Sequence, residues 1–123
     1  MNAAKVIAKL RQQYPGKTIL SSPEDHPTEI LCEVDPPSKH PEYSIAVSVI
    51  DQSAQHVHHK ITETYTVISG TLKLTKNNTI SILHRGESII IVPGEIHSAS
   101  GEETWVECIA RPAWTPGDHI LVS

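Results

Sequence analysis

The stretch His56-Val57-His58-His59-Lys60-Ile61-Thr62-Glu63-Thr64-Tyr65-Thr66-Val67-Ile68-Ser69-Gly70 decides how the rest of the chain is read. His56 and His58 share one face of an extended strand, because successive side chains alternate across it. Glu63 comes five residues after His58, and Gly70 ends the apolar alternation that follows. Imidazoles and a carboxylate on one side of a sheet suit a first-row divalent metal. A solvated histidine cluster beside an edge strand is the competing reading of these residues alone.

Downstream, Thr71-Leu72-Lys73-Leu74-Thr75 alternates cleanly and Thr79 to Leu83 returns, with Asn77-Asn78 able to supply left-handed turn residues. Arg85-Gly86-Glu87 is a further turn. Ser88 to Val92 is a continuous apolar run ending at Pro93-Gly94, followed by His97, and a second reversal is expected near Gly101. Thr104 to Ala110 closes the sheet, and Arg111 to Ser123 is an irregular tail.

Upstream, Ala3, Val6, Ile7 and Leu10 fall at helical spacing until Pro15-Gly16 stops the pattern. This predicts a short amphipathic helix within residues 1–15, laid on the main body or against a partner subunit. Thr28 to Val34 and Tyr43 to Ile50 are β-rich runs, and Ile45, Val47 and Val49 form the stronger core face of the second. Many short strands with close turn signals indicate a sandwich or barrel.

At 123 residues the chain is long enough for one core and too short for two. Its formal charge is −4 and its ten Lys and Arg residues are scattered, so no basic stripe offers itself to nucleic acid. No apolar run of about eighteen residues exists to span a membrane. Lys5 and Lys9 interrupt the N-terminal pattern and exclude a signal-peptide core, so a soluble cytoplasmic protein is expected. Cys32 and Cys108 lie far apart in strand-like runs, which favours buried free thiols over a disulfide.

Taken together, His56-x-His58, four residues, Glu63, six residues, Gly70 resembles the first motif of the cupins. The segment from Gly86 through Pro93-Gly94-Glu95-Ile96-His97 resembles the second. Ile50, Val92 and Gly101 depart from the usual Gly, Pro and Asn of the motifs, and these slots concern local turns. The resemblance implies an all-β, cupin-type double-stranded β-helix (a jelly-roll barrel). A single domain over 1–123 is expected, with the helix in 1–15, the barrel in 28–110 and the tail in 111–123. It implies His56, His58, Glu63 and His97 as ligands of one divalent transition metal, with Fe, Mn, Zn and Ni all compatible.

By strand parity His59 faces away from the site, while Tyr65 shares the inward parity of Glu63. Tyr65 and Trp105 are candidates for the substrate pocket, and each is equally readable as a core residue. His26, His40, His84 and His119 are read as solvated, and no catalytic residue can be named. Trp114 has apolar area to bury, so the tail is expected to cap a barrel end or pack on a neighbour.

Three functions fit. One is an enzyme using the metal as a Lewis acid on a small polar molecule, in sugar or sugar-acid isomerisation, epimerisation or elimination. Phosphorylated substrates are disfavoured, because no Lys or Arg falls at an inward position. The second is an Fe-dependent dioxygenase with the same ligand set. The third is a non-catalytic small-molecule binding module. A homodimer is implied by the resemblance, with the helix face and the strand Thr28 to Val34 as the expected interface.

Overall fold

Helix α1 (Ala3–Gln13) begins where the Asn2 side chain accepts a hydrogen bond from the Lys5 backbone N–H. It ends at Tyr14, whose N–H donates to the Leu10 carbonyl just before Pro15-Gly16. The computed structural model describes residues 1–123. After the helix come β1 (Ile19–Ser22), β2 (Glu29–Asp35), β3 (Ser44–Gln52), β4 (His56–Val57) and β5 (Thr62–Ser69). They are followed by β6 (Thr71–Lys76), β7 (Thr79–His84), β8 (Ser88–Ile91), β9 (His97–Arg111) and β10 (Ile120–Leu121).

All pairings are antiparallel, and β9 is the strand around which the sheet curls. One edge of β9 runs along β3, while its other edge meets β5 in its second half and β6 in its first. The result is a curled jelly-roll barrel with a single helix outside it. β1 extends the sheet beyond β2. Asn77 and Asn78 both take positive φ (47° and 68°) and turn β6 into β7, as their side chains allow.

The expected reversal near Gly101 does not occur. β9 continues through it, and a bulge at Glu103 (φ 46°) bends the strand instead. A Cβ on Gly101 would stand 2.3 Å from Thr104 Oγ1, so only glycine fits this close approach. The Thr104 hydroxyl donates to the Thr71 carbonyl at 2.7 Å and pins the bend.

Two cores form on opposite faces of the β2–β3 layer. Inside the barrel, Ile50, Tyr65, Val67, Leu72, Leu74, Leu83, Ile91, Ala99 and Val106 make one cluster. Under the helix, Val6 and Leu10 meet Ile30, Cys32, Val47 and Val49. The apolar odd face of β3 is thus real, but Val47 and Val49 are sealed by α1, and Ser44, Ala46 and Ser48 face the barrel interior. Periodicity finds an apolar face without saying which neighbour covers it.

That arrangement also corrects the expected interface. The apolar face of α1 and the outward side of β2 are buried against each other within one chain. They leave no apolar stripe there for a partner. Ile30 is fully buried in this outer core, so Ile30→Val should cost ~1 kcal/mol, read as a lower denaturant midpoint with an unchanged slope.

Candidate metal centre and its cavity

Four side chains converge at one end of the barrel: His56, His58, Glu63 and His97. Their potential ligand atoms all lie within 4.8 Å of one another, and all four residues are buried. The β4–β9 register sets His56 directly opposite His97, and Glu63 stands next to Ile91 and Ala110 in β5. His58 follows β4 in a turn, and the Gly94 N–H donates to its carbonyl at 2.8 Å. Gly94 itself has φ 88°, which lets the chain reverse between β8 and β9 and deliver His97.

The three imidazoles are oriented alike. Nδ1 of His56 donates to the Ala54 carbonyl at 2.7 Å, that of His58 to the Asp118 carbonyl at 2.5 Å, and that of His97 to the Glu95 carbonyl at 2.9 Å. A carbonyl can only accept, so each Nδ1 carries a proton, and in the neutral ring each Nε2 turns a lone pair inward. This is how outer-shell partners fix the tautomer of metal-binding histidines.

Glu63 Oε1 lies 2.8 Å from His58 Nε2 and 3.2 Å from His97 Nε2. Its other oxygen accepts from the Cys108 thiol at 3.1 Å. Even so, the buried Nε2 of His58 has no aligned hydrogen-bond partner. Inward lone pairs, a carboxylate oxygen and an orphaned nitrogen form a small electron-rich space. The donor set fits a divalent transition ion.

The electrostatics agree. Burial, reinforced by His97, lowers the His56 pKa to about 4, so this ring is neutral at physiological pH. Burial would raise the pKa of Glu63, but the His58 and His97 imidazoles beside it outweigh burial and hold the carboxyl well below its usual range. For His58 burial opposes charge, while Glu63 and the Asp118 carbonyl prevail and raise the pKa. Burial, then the Glu63 charge, pushes both the Tyr65 phenol and the Cys108 thiol well up, so both stay protonated.

A cavity of about 320 Å³ reaches the cluster at His56 and Glu63, within the range of small-molecule sites. Tyr65 is in its wall, as expected from parity. Trp105 is not. It pairs with Val49 on the outward side of β9 and packs against the helix-side core, because Val106, Cys108 and Ala110 hold the inward parity. His59 is exposed and turned away, and His26 and His84 are also exposed. His40 is not free in solvent; it pairs with Asp35 at 3.1 Å.

His119 is the larger surprise. Its ring lies 4.4 Å from that of His56 and 5.8 Å from that of Trp114, and all three line the cavity. The tail folds back over the barrel end, with β10 paired to β4. Asp118 anchors it. Its carboxylate accepts from the backbone N–H groups of His59, Lys60 and Ile61 at 2.8, 3.0 and 2.9 Å. No spacing rule reveals these contacts, since they depend on where a loop lands. Cys108 could be found by parity once β9 was placed, because it alternates with Val106 and Ala110.

The sequence model of the cupin domain matches residues 45–106, just over half of the chain. The chain belongs to the cupin family. No curated protein sequence matches this cupin.

Its fold resembles that of Pac13 from Streptomyces, described as a nucleoside dehydratase, with TM-score 0.75 and 14% identity over 89% of this chain and 90% of that one. KdgF from Halomonas sp. gives TM-score 0.64 and 15% identity over 71% and 82%. A cupin-like protein from Thermotoga maritima gives 0.61 and 13% over 68% of each chain. At these identities the likeness concerns the fold. No helix of this cupin is long and apolar enough to cross a membrane.

Proposed function

We propose that this cupin is a metal-dependent enzyme that moves protons on a small, unphosphorylated hydroxy-carbonyl compound. The observation that carries the reading is the inward convergence of His56 Nε2, His58 Nε2, His97 Nε2 and the Glu63 carboxylate at the end of a cavity. A bound divalent ion supplies Lewis acidity that stabilises charge developing on a carbonyl or hydroxyl oxygen.

The protein's own residues bind, orient and shield. Ile50, Val106 and Trp114 supply apolar walls and exclude water, while Ser44 and Ser48 offer hydroxyls to a polar ligand. No Lys or Arg lines the space, so a phosphoryl group would find no counter-charge from the protein. Isomerisation, epimerisation and elimination share one demand, removal of a proton beside a carbonyl. The dehydratase activity of Pac13 and its similar fold make that reaction class a reasonable one for this barrel.

The test is solvent-deuterium incorporation into dihydroxyacetone, followed by proton NMR with zinc-loaded protein. Exchange should stop on chelation and return with zinc. Identical exchange with and without the ion would contradict a metal-dependent reaction, and oxygen uptake by iron-loaded protein without exchange would favour the dioxygenase alternative. The proposal includes self-association, as the family resemblance implies. With the helix face taken, pairing must use other surface, and a monomeric mass by light scattering at micromolar concentration would exclude it.

A further inference from the structure

On β2, away from the four clustered ligands, the barrel wall presents a carboxyl group that the ligand set does not use. Ile30 and Cys32 on β2 are buried beneath α1. Alternation therefore turns Glu29, Leu31 and Glu33 toward the interior, where all three line the cavity. Glu29 sits opposite Ile50 in the β2–β3 register, one strand step from the Leu31–Ser48 pair. It belongs to no ion pair, and no Lys or Arg shares its cavity.

An unpaired carboxyl in such a wall is costly to fold around. Its protonation follows from its surroundings. Burial, with a further push from the Glu63 charge, raises the Glu29 pKa to about 7, while the Ser48 hydroxyl pulls it the other way. Tyr65 and Cys108 feel the Glu29 charge in turn, which puts those groups within electrostatic reach across the cavity. Glu33, His56 and His119 are the remaining titratable groups in the lining. A divalent charge beside Glu63 would offset the carboxylate there and bring Glu29 down, enlarging its ionised share at neutral pH.

We propose that Glu29 is the acid–base group of the cavity, exchanging a proton with the carbon beside the carbonyl of a small unphosphorylated hydroxy-carbonyl compound. This rests on the enzyme reading above. The C–H bond breaks and its proton joins the Glu29 carboxylate. The C–H electron pair forms the carbon–carbon double bond of an enediolate, and the carbonyl pair moves onto oxygen. Returning a proton to the same carbon restores the compound with solvent hydrogen. Delivering it to the adjacent carbon, as the hydroxyl proton passes to the other oxygen, gives the isomer. No oxidant or reductant is needed. A group that is neither fully ionised nor fully protonated near neutral pH is suited to both halves.

Two measurements test this. In metal-free protein carrying glutamate labelled with carbon-13 at the carboxyl, one resonance should titrate near the value above and vanish in Glu29→Gln. In zinc-loaded protein, Glu29→Gln should lower deuterium incorporation into dihydroxyacetone by about 10²–10⁴-fold, with zinc content unchanged and a melting temperature no lower than wild type. Glu29→Asp should restore part of the rate with a displaced pH profile, which a merely structural role would not produce. A Glu29 carboxyl titrating in the ordinary range, or wild-type exchange that persists in Glu29→Gln, overturns this assignment alone. A zinc-loaded wild type that exchanges nothing overturns the enzyme reading and this assignment with it.

Discussion

Replacing His58 with alanine is expected to lower the metal bound per chain several-fold, and His97→Ala should do the same. Both rings are buried, and their Nε2 atoms lie 2.8 and 3.2 Å from Glu63 Oε1. Removing either takes away one of four donors and opens the space to water. Loss of an outer-shell partner alone weakens metal binding by about 10–100-fold, so loss of a ligand should exceed that. His59→Ala is the matched control. It changes the neighbouring imidazole, which points outward, and should leave metal content unchanged. If His58→Ala, His97→Ala and His59→Ala all retain wild-type metal after chelation and reloading, the ligand assignment is wrong.

The second large effect falls on the tail. Asp118→Ala removes the acceptor of three consecutive backbone N–H groups, at His59, Lys60 and Ile61. The Ile61 amide lies in a buried residue, whereas His59 and Lys60 are exposed, so water can satisfy part of the loss. Leaving a buried donor unpaired costs about 1–3 kcal/mol, and the whole substitution about 2–4 kcal/mol.

The same residue's carbonyl holds Nδ1 of His58. A tail released from the turn would free that ring to rotate, so metal affinity should fall by about 10–100-fold alongside stability. Denaturant melts and metal competition on the same variant check both halves. A destabilised protein that keeps wild-type affinity would separate the tail from the centre. Asp118→Asn should retain part of both properties, since its amide oxygen still accepts.

Much of this architecture was legible in the chain because local rules sufficed. The His-x-His spacing and the Pro93-Gly94 turn each work within a few residues, and the resemblance to the two cupin motifs is what implied the four-residue cluster that the structure brings together. The Asn77-Asn78 turn is read the same way, from a backbone preference that belongs to the residues themselves. The misreadings share a different cause.

The apolar face of β3 does belong to a core, but alternation does not say that α1 is what covers it. Trp105 was misplaced for a related reason, since its side of β9 is set by the partner strand. His119 and Asp118 reach the centre only through the return of the tail over the barrel end. Glu29 could not be recognised as interior until the opposite face of β2 was known to be covered.

One measurement bears most directly on the central claim, which is that the three inward Nε2 atoms and the Glu63 carboxylate bind a divalent transition metal. It is elemental analysis of wild-type protein purified without a histidine tag from metal-replete medium, repeated after chelation and reloading. The account predicts one equivalent of Fe, Mn, Zn or Ni per chain, removed by chelation and recovered on reloading. Protein that binds no transition metal in either state would contradict it and leave the cavity as a metal-free binding pocket.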